Sequence, residues 1–177
     1  DSGGRQIIYV ADFGNNAVRK VPVLTMVAST VAGQTNRPDD AVNGIGTNAM
    51  LRGPGAITVD GNNRLFVAEI ASGDVRMISP RGNVSSVLEG SILQIAGVRV
   101  APDGANLYVT DRNTVKVYSG VPGPGLPLDT QDFRVGHIVT TGTTLGLATA
   151  TRFNRPTAVR FDTVSTDILV VDTGNNR

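Results

Sequence analysis

An all-β fold, assembled from repeated four-stranded antiparallel sheets, is what the 177-residue sequence predicts. Three observations carry this reading. A short apolar run ending in an acid recurs four times. A second run, rich in β-branched residues and carrying a small residue in fixed register, precedes the last three copies. Clusters of Gly, Pro, Asn and Asp punctuate the chain at the intervals that short strands require. Hydrophobic residues make up 40% and charged residues 18% of the chain, the profile of a globular protein able to bury a core.

The acid-ending runs are IYVADFGNNAVRKV from Ile8, LFVAEIASGDVRMI from Leu65, LYVTDRNTVKVY from Leu107 and ILVVDTGNNR from Ile168. Their acids, Asp12, Glu69, Asp111 and Asp172, stand 57, 42 and 61 residues apart. Intervals of about 40 to 60 residues suit the blades of a β-propeller, in which strands a to d make up each sheet. The acid-ending runs are strand b. Strand a is read in PGAITVDGNN from Pro54, IAGVRVAPDGAN from Ile95 and RPTAVRFDTVSTD from Arg155, where Ala56, Gly97 and Ala158 share one register at the crowded inner end. Asp60-Gly61 and Asp103-Gly104 follow directly and predict tight a–b hairpins with positive φ.

Strand c is AVRKV, DVRMI or TVKVY, and strand d is TMVASTVAG, NVSSVLEG or RVGHIVTTG. Pro80-Arg81-Gly82-Asn83 supplies a c–d turn, and the Pro-rich residues 119–132 are expected to be a c–d insertion rather than a linker. The chain is therefore one propeller portion over 1–177, with repeats at about 1–53, 54–94, 95–154 and 155–177, the first and last incomplete. About three blades do not close a ring of four to eight. The expectation is a longer parent that supplies more blades, or two chains that share one ring, with open edges prone to self-association.

Gly44-Ile45-Gly46-Thr47-Asn48-Ala49 has the G-x-G-x-x-A spacing of a dinucleotide cradle. That chemistry needs a strand before the glycines and a helix after them. TNRPDDAV upstream is polar and broken by Pro38, and Gly53-Pro54-Gly55 downstream interrupts any helix. The stretch is read instead as a surface connection from strand d of one blade to strand a of the next, where positive φ is needed and a Cβ would crowd the turn.

The order of these motifs resembles the NHL-repeat family of β-propellers along nearly the whole chain. The resemblance rests on Val31-Ala32-Gly33, on Asn43-Gly44-Ile45-Gly46-Thr47-Asn48-Ala49, on Pro54-Gly55-Ala56-Ile57-Thr58-Val59-Asp60, and on Val10-Ala11-Asp12-Phe13-Gly14-Asn15-Asn16 followed by Val18-Arg19. Departures are Asn43 for the loop Asp, Glu69 for the strand-b acid, and a third repeat without the long loop.

The net charge of +1, from 16 basic and 15 acidic residues, provides no global field toward nucleic acid or anionic membranes. There is no cysteine for a disulfide or thiolate metal site, and no apolar run approaches 18 residues. His137, the single histidine, falls in a strand-d pattern and is read as structural. The four strand-b acids are read as structural too, pairing with Arg19, Arg76 or Lys116, because equivalent positions around a ring do not converge on one metal. Asp39-Asp40 is read as a solvated loop pair. No catalytic residue, metal or cofactor is assigned.

Propeller geometry places d–a and b–c loops on one face, which would carry Arg37, Arg52, Arg112, Arg152, Arg155 and the exposed ring of Phe13. The a–b turns opposite would carry Asp60, Asp103, Asp162 and Asp167. The resemblance implies a non-catalytic platform that binds a macromolecular partner, first of all a protein, with Arg52, Arg112, Arg152, Arg155 and Phe13 as the binding candidates. Single-stranded RNA is the alternative partner. A lyase- or lactonase-like enzyme with its active residues outside these 177 is the second alternative.

Overall fold

The computed structural model describes residues 6–35, 41–90, 92, 94–102, 104–119, 152–162 and 167–177, and the backbone alone of 133–136. Among the described residues every strand pair is antiparallel and there is no α-helix. Blade 1 contains β1 (Ile7–Asp12), β2 (Ala17–Pro22) and β3 (Ser29–Gly33), in that order across the sheet. The two-residue strand β4 (Gly44–Ile45) follows in the connection to blade 2. Blade 2 runs β5 (Pro54–Val59), β6 (Leu65–Glu69), β7 (Asp74–Ile78) and β8 (Asn83–Leu88). Blade 3 runs β9 (Ile95–Val100), β10 (Asn106–Asp111), β11 (Thr114–Ser119) and β12 (Phe133–Gly136). A fourth sheet pairs β13 (Ala158–Phe161) with β14 (Ile168–Val171).

The sheets are arranged radially, because β1 packs beside β5, β5 beside β9 and β9 beside β13. The core is accordingly split into three interblade layers. Between blades 1 and 2 lie Val18, Ala32, Leu65, Val67 and Ile78; between blades 2 and 3 lie Phe66, Ala68, Met77, Val98 and Leu107; between blades 3 and 4 lie Tyr108, Val115, Val117, Phe153 and Val159. Successive residues of β6 thus enter opposite layers, as the two-residue period of a strand requires. Burial on both faces also explains why strand b reads as an almost unbroken apolar run. Tyr108 and Phe161 close the third layer edge-to-face, with ring centroids 5.0 Å apart and an interplanar angle of 77°. At Gly97 the inner strands approach so closely that a Cβ would lie 2.6 Å from the Thr157 carbonyl oxygen. This is an all-β propeller fold forming an incomplete ring.

The strands fall where the repeats predict, with three local differences. Strand d of blade 1 starts at Ser29 rather than Thr25, because the N–H groups of Thr25 and Met26 both donate to the Pro22 carbonyl and close a turn, with Met26 at φ +53°. The Asp60-Gly61 hairpin takes its positive φ at Asn63 instead of glycine. Its geometry is set by Asp60 Oδ1, which accepts the Asn62 and Arg64 amides at 3.0 and 2.8 Å. The glycine-rich connection, finally, is more than a surface loop. β4 pairs with β8 as a fifth strand, Val42 bridges Met50, and Ala49 and Leu51 are fully buried in the first interblade layer. Gly46 supplies the positive φ (+55°), whereas at Gly44 the crowding decides, since a Cβ would meet Ala49 N at 3.0 Å.

Candidate functional site

The face formed by b–c turns and d–a segments is built on one device repeated in all four sheets. The acid closing strand b binds a cation in strand c or, in the fourth sheet, just after the turn that follows β14: Asp12 with Arg19 at 3.0 Å, Glu69 with Arg76 at 3.7 Å, Asp111 with Lys116 at 2.7 Å, and Asp172 with Arg177 at 3.1 Å. Three of these acids also accept a backbone amide from the d–a segment leading into their own blade: Arg52 N to Glu69 at 3.0 Å, Gln94 N to Asp111 at 3.1 Å, and Asn154 N to Asp172 at 2.7 Å. Asn15 donates to Asp12, and Asn175 to Asp172. Glu69 and Asp111 therefore each tie two strands and a d–a segment together, Asp12 ties two strands to its b–c turn, and Asp172 ties strand b to its d–a segment and the following turn. The Asn15 and Arg19 bonds hold the Asp12 carboxyl below its ordinary value. Burial pushes Glu69 the other way, against the pull of Arg76.

A second tie joins neighbouring blades. The b–c turn of blade 1 ends with Asn16 in the left-handed region (φ 49°), a conformation that Asn adopts readily, and its Oδ1 accepts the Gly53 amide at 2.9 Å. Asn113 of blade 3 accepts the Arg155 amide at 3.3 Å in the same way. The turn after β14 repeats the first, with Asn176 at φ 55°.

The five predicted binding residues all lie on this rim. Phe13 is 54% exposed in the first b–c turn, and its ring covers Gly53, next to exposed Arg52. Exposed Arg112 precedes Asn113, whose side chain reaches exposed Arg155. Arg152 is half-buried, and its carbonyl accepts from Arg177 at 3.3 Å. The candidates thus form two groups, one at the junction of blades 1 and 2 and the other at the junction of blades 3 and 4. Arg37, Asp39, Asp40, Asp103, His137 and residues 120–132 lie outside the described residues.

The acidic character expected of the opposite face is reduced, because the Asp60 side chain is buried and paired with Arg64 at 2.6 Å. Among the described residues no group of three or more His, Cys, Asp or Glu side chains could hold a metal. None of their helices is long and apolar enough to cross a membrane. A feature that sequence reasoning passed over lies on the inner strands. Thr58, Arg99 and Arg160 sit two residues after Ala56, Gly97 and Ala158, so the same register that identified strand a also aligns two arginines. Arg160 borders a cleft of about 260 Å³ whose wall also includes Ala56, Gly97 and Ala158.

No protein-family model and no curated protein matches the chain. Solved structures do. A protein assigned as a gluconolactonase aligns with a TM-score of 0.66 at 11% identity, over 93% of this chain and 53% of its own. A catalytically inactive variant of virginiamycin B lyase from Staphylococcus aureus, solved with quinupristin, aligns at 0.57 and 10% identity, over 97% of this chain and 54% of its own. An auxiliary nutrient binding protein from Bacteroides ovatus aligns at 0.48 and 18% identity, over 58% and 32%. The chain thus spans about half the length of the first two. At 11% and 10% identity the likeness to the first two concerns the fold, and it places the chain among β-propeller-like structures.

Proposed function

We propose that this protein is an NHL-type propeller portion that acts as a non-catalytic binding platform, its rim of d–a and b–c loops docking an acidic surface of a protein partner. One observation carries this reading. Arg52, Arg112 and Arg155 are exposed, yet the backbone amide of each is already held, by Glu69, by the Gln94 carbonyl and by Asn113 respectively. Loops fixed before binding lose little entropy on docking, and guanidinium groups make directional, bidentate bonds to carboxylates. Arg152 and Phe13 extend the two groups, Phe13 offering an apolar ring between them and the neighbouring blade.

The test uses a poly-glutamate peptide and single-stranded poly-U RNA, each followed by fluorescence anisotropy. The peptide is expected to bind, and the triple variant R52A/R112A/R155A to weaken it by about tenfold or more. An unchanged affinity in the variant removes the reading. Tight poly-U binding with a steep salt dependence replaces it with the RNA alternative.

The outer sheets favour self-association. Ile8 and Val10 of β1 are 50% and 41% exposed, and Leu169 and Val171 of β14 are 56% and 46% exposed. These are the faces turned away from blades 2 and 3, and two such apolar faces can cover each other. Light scattering should show mass rising with concentration; a monomer at every concentration tested would exclude it.

A further inference from the structure

The inner-strand wall carries two arginines whose recorded hydrogen bonds go to neutral groups alone. Arg99 lies in β9 and Arg160 at the equivalent position of β13. Among the described residues neither has a carboxylate within ion-pair distance. Arg99 Nε is buried without a hydrogen-bond partner, and its Nη1 reaches only Thr58 Oγ1, at 3.5 Å. Arg160 is exposed, and its Nη1 donates to the Val159 carbonyl at 3.2 Å. Two other strand arginines do have an acid: Arg19 has Asp12 and Arg76 has Glu69. Burial first and the Arg160 charge second both lower the proton affinity of Arg99. The free protein therefore keeps two like charges together with a guanidinium donor unsatisfied, an arrangement that a bound anion would relieve.

From this geometry we infer a small-molecule site on the inner-strand wall, in which Arg99 and Arg160 hold the carboxylate of an organic acid. The ligand class follows from the donors and the space. Arg160 lines the cleft with its Nη1 bonded to a backbone carbonyl, and the guanidinium fork matches the two oxygens of a planar carboxylate. The adjoining wall includes Gly55, Ala56, Gly97 and Ala158 beside Ile57 and Val98, and the cleft leaves about 260 Å³ for an uncharged body. The site is independent of the rim described above, so either can fail without the other.

Isothermal titration of the full chain with malonate, and separately with inorganic phosphate, tests the assignment. Malonate should bind saturably in the millimolar range or tighter. Arg160→Gln, at an exposed position outside the core layers, should fold normally and weaken malonate about tenfold. Arg99→Lys, which keeps the charge and loses the fork, should weaken it similarly, while the rim variant Arg52→Ala should bind as the parent does. Should Arg99→Lys not fold, Arg160→Gln decides alone. Absence of saturable malonate binding, an unchanged affinity in Arg160→Gln, or phosphate binding in preference to malonate would each overturn the inference.

Discussion

Arg76→Met is expected to destabilise the protein by about 3–5 kcal/mol, because it strands a buried carboxylate. The Arg76 and Glu69 side chains are 1% and 0% exposed and lie 3.7 Å apart, with Asn43 Oδ1 accepting from Arg76 Nη2 at 2.6 Å. Removing the cation leaves Glu69 with the Arg52 amide and the Ser72 hydroxyl as its remaining partners. Burial already raises the folded-state proton affinity of Glu69 above that of the unfolded chain, so ionising it opposes folding. That penalty is absent below the unfolded value and grows as pH rises through the folded one. Without Arg76 the gap between the two widens. The deficit of Arg76→Met should therefore be largest near pH 7 and shrink towards about pH 4, near the ordinary glutamate value. The double variant Glu69→Gln/Arg76→Met, with no charge to bury, should recover most of the loss. Urea midpoints at both pH values check this, and a deficit that is the same at both, or a double variant no better than the single, would reject it.

Phe66→Ala should cost a similar amount, about 3–5 kcal/mol, for a different reason. Phe66 is fully buried between blades 2 and 3, among Ala68, Met77, Val98 and Leu107, and these belong to two different sheets. Neither sheet can collapse into the gap without leaving its neighbour on the other face, so a cavity remains and adds to the lost transfer energy. The variant also gives up the Arg64 guanidinium, which stands 5.5 Å from the ring centroid. A loss of this size is a large part of the stability of a typical domain. Urea unfolding should show a lower midpoint, and Phe66→Leu, which fills much of the space, should lie between. A Phe66→Ala midpoint equal to the parent's would mean that the interblade layer does not carry stability as described.

Strand positions were legible because two signals coincide in them, a two-residue alternation and a recurrence along the chain. The strand-b acids and their partners Arg19, Arg76 and Lys116 were legible for the same reason, since a charge ending an apolar run needs a counter-charge on the adjacent strand. β4 was not, because two residues carry no period and the pairing with Asn83 and Val84 is set by tertiary contact. Nor was the Asp60 hairpin, where a side-chain acceptor outweighed the dipeptide preference and moved the positive φ to Asn63. Arg99 and Arg160 look in sequence like ordinary outward strand positions. Only the closeness of neighbouring inner strands makes them a pair.

The alternation along β6 has a consequence for how the molecule comes apart. Leu65 and Val67 belong to one interblade layer, Phe66 and Ala68 to the next, so a central sheet cannot loosen without releasing contacts on both sides. Opening is then a zipper-like process between nearest neighbours, in which releasing one sheet uncovers the facing layer of each sheet beside it.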